Sequence, residues 1–248
     1  MAFIQCDFSS QVLGISTSIN VVLPQGREDK PYPTLYLLHG LSDDHTGWMR
    51  RTSIERYAME AGIAVVMPGV HRSFYTDMEH GYPYFTFVSE ELIQIAESFF
   101  PLSSKREQRF VAGLSMGGYG AFKLALRHPE KFAAAASLSG AVDIVGLVEE
   151  RRLDNEKEFK NIFGSLDKIK GSGNDLLALL PEVAKIQQQP RFYQCCGTED
   201  FLYQGNQKFR QEALKYGLDL TYEEGPGDHT WSYWDTNIYK VIQWIGPC

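Results

Sequence analysis

Gly113-Leu114-Ser115-Met116-Gly117 follows the apolar run Phe110-Val111-Ala112 and precedes a helical pattern, Tyr119 to His128, that stops at Pro129. Glycine and serine are common in turns, so a G-x-S-x-G pentapeptide alone decides little. A strand, a serine at a tight turn and then a helix is the context that gives it meaning. In that arrangement the serine occupies a strained apex and its hydroxyl stands clear of both elements. The flanking glycines leave room where the strand end and the helix start nearly touch. The helix N-terminus offers unpaired N–H groups to an anion. Ser115 is thus a candidate nucleophile, and the rest of the chain must supply its partners.

Residues 2–23 predict two strands, with Ile15, Ile19, Val21 and Leu23 on one parity and Ser16, Ser18 and Asn20 alternating with them. They form an antiparallel start, with Gly14 at a bulge and a polar turn over Gln25 to Pro31. Thr34 to Leu38 and Ile63 to Met67 are continuous apolar runs, as expected of strands buried on both faces. Between them Thr52-Ser53-Ile54-Glu55 has the pattern of a capping box, and Gly62 is a helix stop. Val70 to Phe87 is irregular and aromatic. A helix is expected over Val88 to Phe100, with Leu92, Ile95, Ala96 and Phe99 on one stripe.

Past the pentapeptide, Phe132 to Leu138, Arg191 to Cys196 and Leu218 to Tyr222 predict further strands. Helices follow over Gln204 to Tyr216 and after His229. Residues 141–188 break the rhythm. They are charged, helix-prone and interrupted by Gly171-Ser172-Gly173, and are expected to form an excursion over the sheet that walls a pocket. Alternating strands and helices define an α/β fold with a mostly parallel sheet covered on both faces. Right-handed crossovers bring the strand-end loops to one edge, where ligands bind.

The 248 residues suit one domain over 1–248, and 44% hydrophobic content allows a sizeable core. Net charge is −7 with no basic stripe, which argues against a nucleic-acid partner. Cys6, Cys195, Cys196 and Cys248 form no C-x-x-C pair and no metal-ligand spacing, so they are expected to be core thiols of a reduced protein. Cys195 and Cys196 would point to opposite faces of a strand. The N-terminal residues carry no signal-peptide pattern and no run approaches a membrane span, so a cytoplasmic location with no membrane partner is expected. No cofactor or metal is called for. Asp43, Asp44 and His45 are a weak metal-ligand alternative that equally suits a polar loop. A homo-oligomer stays open.

A serine hydroxyl needs a base, and the base needs an orienting acid. In the α/β-hydrolase arrangement they follow in the order Ser, Asp or Glu, His. Two histidines follow Ser115. His128 lies at the far end of the helix, roughly 18 Å away at 1.5 Å per residue, and suits a helix terminus instead. His229, in the loop Gly225-Pro226-Gly227-Asp228-His229, lies on the correct edge and is the candidate base. Asp200, after the Gly197 turn, is the chosen acid, with Glu199 and Asp228 as competitors. An oxyanion hole needs two N–H donors. Met116 follows the nucleophile, and Leu41 follows the strand that ends in His39-Gly40. His39 itself is expected to hydrogen-bond within its loop. Trp48, Phe74, Tyr75, Tyr119 and Trp231 are expected to line the pocket, Trp48 and Trp231 first among them.

The motifs Leu37-Leu38-His39-Gly40-Leu41, Trp48, Val66-Met67-Pro68, Tyr75-Thr76-Asp77, Ala112 to Gly120, Cys196 to Leu202 and His229-Thr230-Trp231 span nearly the whole chain. On these the sequence resembles the esterase D / S-formylglutathione hydrolase superfamily, most closely its bacterial tributyrin-esterase type. The resemblance implies an α/β-hydrolase fold and a serine carboxylesterase acting on short-chain acyl esters, small molecules that include acetylated or feruloylated sugars. It also implies a Ser115, Asp200, His229 triad with Leu41 and Met116 as oxyanion donors. Members that cleave S-formylglutathione usually carry histidine where this chain has Leu114. Thioester hydrolysis therefore stands as the alternative, followed by acyl transfer of the mycolyltransferase kind. A non-catalytic hydrolase-fold binding protein would typically have lost a triad member, and none is missing here.

Overall fold

Eight strands form one sheet in the order β1-β2-β4-β3-β5-β6-β7-β8 in the computed structural model, which describes residues 1–25, 31–150 and 152–246. The strands are β1 (Ala2–Ser10), β2 (Ile15–Leu23), β3 (Thr34–Leu38), β4 (Ala64–Pro68), β5 (Arg109–Leu114), β6 (Ala134–Leu138), β7 (Arg191–Gly197) and β8 (Leu220–Gly225). β1 pairs antiparallel with β2, and β2 antiparallel with β4; from β4 to β8 every pairing is parallel. Most of the expected polar turn, Gly26 to Lys30, lies outside the described residues, as does Cys248.

The helices are α1 (Gly47–Arg51), α2 (Ile54–Ala61), α3 (Tyr84–Thr86), α4 (Leu92–Phe99), α5 (Met116–Arg127), α6 (Ile144–Glu150), α7 (Arg152–Phe163), α8 (Leu166–Ile169), α9 (Leu176–Val183), α10 (Tyr203–Lys215) and α11 (Trp231–Ile245). They cover both faces. Tyr36, Leu38, Val66 and Val111 pack with Phe122 of α5, Leu180 of α9 and Phe209 of α10. Leu35, Leu37, Val65 and Ala112 pack on the opposite face with Trp48 of α1, Ile54 of α2 and Ile238 of α11. This alternation is why β3, β4, β5 and β6 are apolar at nearly every position: both sides of each strand are buried. Cys195 joins the α11 face, and Cys6, Cys195 and Cys196 are free thiols.

Several local expectations change. Gly14, at φ 67°, closes the turn between β1 and β2 instead of bulging a strand, its N–H donating to the Ser10 carbonyl at 3.0 Å. The capping box at α2 forms only in half: the Thr52 oxygen accepts the Ile54 N–H at 3.2 Å, but its hydroxyl and its own N–H both go to the Trp48 carbonyl at the end of α1, at 2.6 and 3.2 Å, and not to Glu55. The expected helix at Val88 starts earlier, at Tyr84, and passes through a π turn at Phe87–Glu91 before α4. That wider turn changes the angular register, so Leu92, Ile93 and Ala96 face the core while Phe99 is exposed. Glu91, in the π turn, takes the Ser10 hydroxyl and the Gln11 N–H, tying the β1–β2 turn to this helix. The region 141–188 contains α6 to α9, and α9 packs on α5 and α10.

Candidate active site

Ser115 caps α5 with φ 53° and ψ −117°, a conformation that costs a non-glycine residue roughly 1–3 kcal/mol. The end of β6 and the loop after it hold it there. Its N–H donates to the Leu138 carbonyl at 2.9 Å, and its carbonyl accepts from Ala141 N–H at 3.1 Å. The elbow is tight: a Cβ on Gly113 would lie 2.4 Å from the Gly117 carbonyl, and one on Gly117 2.4 Å from the Leu38 carbonyl oxygen.

His229 arrives from the loop after β8 and Asp200 from the loop after β7. Backbone bonds join the two loops, Thr198 N–H to the Gly225 carbonyl at 3.0 Å and Glu199 N–H to the Gly227 carbonyl at 3.1 Å. His229 Nε2 lies 2.9 Å from Ser115 Oγ, and Nδ1 lies 2.8 Å from Asp200 Oδ2. The Asp200 side chain is fully buried, while the His229 ring retains some exposure. Burial pushes the Asp200 carboxyl upward, but the hydrogen bond and charge of His229 and the Leu202 N–H at 2.8 Å outweigh it and hold it below the usual carboxylate range. An ionised Asp200 fixes the proton on Nδ1 and leaves Nε2 to accept from the serine hydroxyl.

The competing acids have other partners. Glu199 accepts from Gly227 N–H at 2.5 Å and from the Thr198 hydroxyl, so it braces the histidine loop, and Asp228 accepts from the Thr230 hydroxyl at 2.8 Å. His128, just past α5, stacks on Phe85 with ring centroids 5.6 Å apart. Phe201 and Trp234 contact the His229 ring, at 4.6 Å and 4.9 Å between centroids. Neither ring was foreseen in this role; each lies close in sequence to a triad position.

The Gly40–Leu41 turn runs beside the serine, since a Cβ on Gly40 would sit 3.7 Å from Ser115 Cβ. Among the described residues neither the Leu41 N–H nor the Met116 N–H donates to a protein acceptor, which leaves both for a ligand oxygen. His39 is buried in the same turn. Its Nδ1 lies 2.7 Å from the Gly40 carbonyl oxygen, and its Nε2 accepts the Val70 N–H at 3.1 Å. Burial pushes its pKa down to about 4, against the Gly40 carbonyl and the Asp44 charge, so the ring is neutral near pH 7.

Three of the expected lining aromatics sit in the core. Trp48 donates its indole N–H to the Leu38 carbonyl at 3.0 Å, Tyr75 its hydroxyl to the His39 carbonyl at 2.9 Å, and Tyr119 its hydroxyl to the Asn174 carbonyl at 2.8 Å. None is more than 1% exposed: Trp48 on α1 and Tyr119 on α5 face the packed interior, and Tyr75 lies between α5 and the His39 turn. Phe74 is likewise buried, against Phe159 and Phe163. Trp231 is half-buried, edge-on to Trp48 at 5.3 Å. A cavity of about 980 Å³ begins at Leu41 and is walled by His71, Met78, Tyr82 and Tyr84 on one side and Lys157 and Ile162 of α7 on the other. Ser115, Asp200 and His229 lie outside it, beyond the Leu41 turn. Of the weak metal alternative, Asp44 is occupied by the Thr46 N–H and hydroxyl, and no group of three or more His, Cys, Asp or Glu among the described residues is placed to hold a metal.

A serine at a strand-to-helix elbow, hydrogen-bonded to a histidine that is itself held by a buried carboxylate, with two unpaired N–H groups beside it, defines a serine hydrolase of the α/β-hydrolase fold. Residues 10–245 match the sequence model of the Esterase family, described as "Putative esterase", and the chain belongs to that family, within the esterase D / S-formylglutathione hydrolase superfamily. An acetyl esterase of Caldicellulosiruptor saccharolyticus is 34% identical over 99% of this chain and 98% of its own. The substrate-bound structure of FphF, a fluorophosphonate-binding serine hydrolase of Staphylococcus aureus, superposes with a TM-score of 0.90 at 40% identity, covering 98% of both chains. The S-formylglutathione hydrolase FrmB of the same organism superposes with a TM-score of 0.87, also at 40% identity and 98% coverage of both.

Proposed function

We propose that this esterase hydrolyses short-chain acyl esters through an acyl-enzyme on Ser115. The observation that carries the reading is the continuous hydrogen-bonded line from Ser115 Oγ through His229 to Asp200. His229 Nε2 takes the serine proton as Oγ attacks the ester carbonyl carbon. The carbonyl becomes an oxyanion held by the Leu41 and Met116 N–H groups. Its collapse breaks the C–O bond to the alcohol, which leaves with the proton from Nε2. Water then gives a proton to the same nitrogen and attacks the acyl carbon, and Ser115 departs with that proton as the acid is released. Asp200 fixes the tautomer throughout and stabilises the imidazolium.

The acetyl esterase relative supports a small acyl group. The cavity that begins at Leu41 is offered for the larger, variable part of the ester, acetylated or feruloylated sugars among the substrates to try, and tributyrin as the simplest glycerol ester. Free Cys6, Cys195 and Cys196 support a reducing, cytoplasmic setting. Thioester hydrolysis is the second reading, favoured by the 40% identity to a structure named as an S-formylglutathione hydrolase and opposed by Leu114 inside the pentapeptide. A panel of p-nitrophenyl esters of increasing acyl length, run beside S-formylglutathione and acetylated xylan, separates them. The proposal expects the highest kcat/KM on the shortest oxygen esters. A preference for S-formylglutathione by tenfold or more, about 1.4 kcal/mol, would reverse the order of the two readings.

A further inference from the structure

We propose that Tyr75 and Lys123 are positioning residues for the oxyanion hole, bracing the His39–Leu41 turn against the nucleophile helix so that the Leu41 and Met116 N–H groups are held as one rigid unit. The inference rests on the acyl-enzyme reading above and concerns two buried polar groups which that mechanism does not use.

Lys123 lies on α5, two turns beyond Ser115, and is completely buried. No carboxylate lies within ion-pairing distance of it among the described residues. Its Nζ donates to the Tyr75 carbonyl at 3.0 Å and to the Thr76 hydroxyl at 2.8 Å, between the rings of Phe85 and Tyr119. A buried amine whose partners are only neutral oxygens is costly. What it secures is one strained stretch, in which Phe74 and Tyr75 have φ of 50° and 49°.

Tyr75 passes that anchoring on. Its ring abuts α5, where a Cβ on Gly120 would come within 2.4 Å of it. Its hydroxyl donates to the His39 carbonyl at 2.9 Å. The next carbonyl, Gly40, is held by His39 Nδ1–H at 2.7 Å and by the Asp43 N–H at 3.2 Å. Gly40 C=O and Leu41 N–H belong to one planar trans peptide, so they point in opposite directions. Fixing the carbonyls on both sides of Gly40 therefore fixes where the Leu41 N–H points. The other donor, Met116, opens the helix that carries Lys123. The strut thus links one oxyanion donor to the other through side-chain hydrogen bonds to backbone carbonyls.

The test compares Tyr75→Phe with wild type on p-nitrophenyl acetate and on its thiono (C=S) counterpart, whose sulfur gains little from N–H donors. Tyr57→Phe is the control, since it too loses a tyrosine hydroxyl bond, to Asp235, and Tyr57 lies on α2, which carries no residue of the site. Losing a whole oxyanion donor costs about 10²–10³ in kcat, so a misaimed one is expected to cost on the order of tenfold. The proposal expects that loss in kcat on the oxygen ester, KM within about twofold, under twofold change on the thiono ester, and wild-type behaviour of Tyr57→Phe. Lys123→Met should shift the ratio of oxo to thiono rates in the same direction. Wild-type kcat in folded Tyr75→Phe, an equal loss on both esters, or failure of both strut variants to fold overturns the strut. Ser115→Ala, run alongside, separates this from the underlying reading: if it retains turnover, the acyl-enzyme mechanism itself falls.

Discussion

The His39 imidazole is neutral because burial outweighs the groups that would charge it, and this has a consequence for stability. In the unfolded chain the ring takes its proton near pH 6.5, and in the folded protein only near 4. Between those values the unfolded state holds more protons, so folding stability rises with pH across the window and is lost as pH falls through it. The full difference is about 3 kcal/mol, of which roughly 2 kcal/mol should disappear between pH 7 and pH 5. Urea midpoints at the two pH values check this, and His39→Asn should lack that part of the slope; an unchanged slope in the variant contradicts it. At the site, Asp200→Asn should lower kcat about 10⁴-fold, whereas Glu199→Gln, which only loosens a brace on Gly227, should keep most of the activity. A negligible loss in Asp200→Asn would move the acid to another residue. Ser115, Asp200 and His229 were legible from the sequence because each closes a strand with its own marked turn. Trp48, Tyr75 and Tyr119 were not, because an aromatic beside a site residue has the same local sequence whether it faces a ligand or the core. Only the third dimension separates the two.

The strand-elbow-helix unit of β5, Ser115 and α5 sets the strongest demand on sequence at the level of an element. A Cβ on Gly117 would meet the Leu38 and His39 carbonyl oxygens at 2.4 and 2.7 Å, and both are backbone atoms that cannot swing aside. Gly117→Ala is therefore expected to cost at least about 2 kcal/mol, measured by urea unfolding; a change below about 0.5 kcal/mol would contradict the packing described. The buried parallel strands were readable because burial on both faces leaves an unbroken apolar run. Helix boundaries were less so. The first turn from Tyr84 is held by Asp77, whose carboxylate accepts the Thr86 N–H at 2.8 Å, and the π turn at Phe87–Glu91 presents Glu91 to Ser10 and Gln11, a contact across some 80 residues that no local pattern encodes. The capping-box pattern at Thr52 is half met: its oxygen accepts the Ile54 N–H, while its own N–H goes to the Trp48 carbonyl and leaves Glu55 without that partner.

At the scale of the molecule, the run of parallel pairings from β4 to β8 carries residues 41, 115, 200 and 229 to one edge of the sheet, and this topology could be argued from the alternation of strands and helices. Of the cavity only one wall was expected, from the 141–188 excursion; that residues 71–84 form the other was not. Its two walls, residues 71–84 and α7, meet through Glu79 N–H to the Ile162 carbonyl at 2.9 Å, His80 N–H to the Asn161 carbonyl at 2.8 Å and the Arg72–Glu158 ion pair. Nothing in either stretch announces the other. If the cavity holds the variable part of the ester, Tyr82→Ala should raise KM for bulky esters by about fivefold, the loss of roughly 1 kcal/mol of aromatic contact, and leave p-nitrophenyl acetate unchanged. Equal effects on both substrates would detach the cavity from catalysis. Covalent catalysis by Ser115 carries the whole reading, and rapid-quench peptide mass analysis of the protein mixed with p-nitrophenyl acetate tests it. A transient acetyl group is expected on the peptide containing Ser115, absent in Ser115→Ala together with a loss of kcat on the order of 10⁶. A folded Ser115→Ala protein that turns over the ester at near the wild-type rate would contradict it.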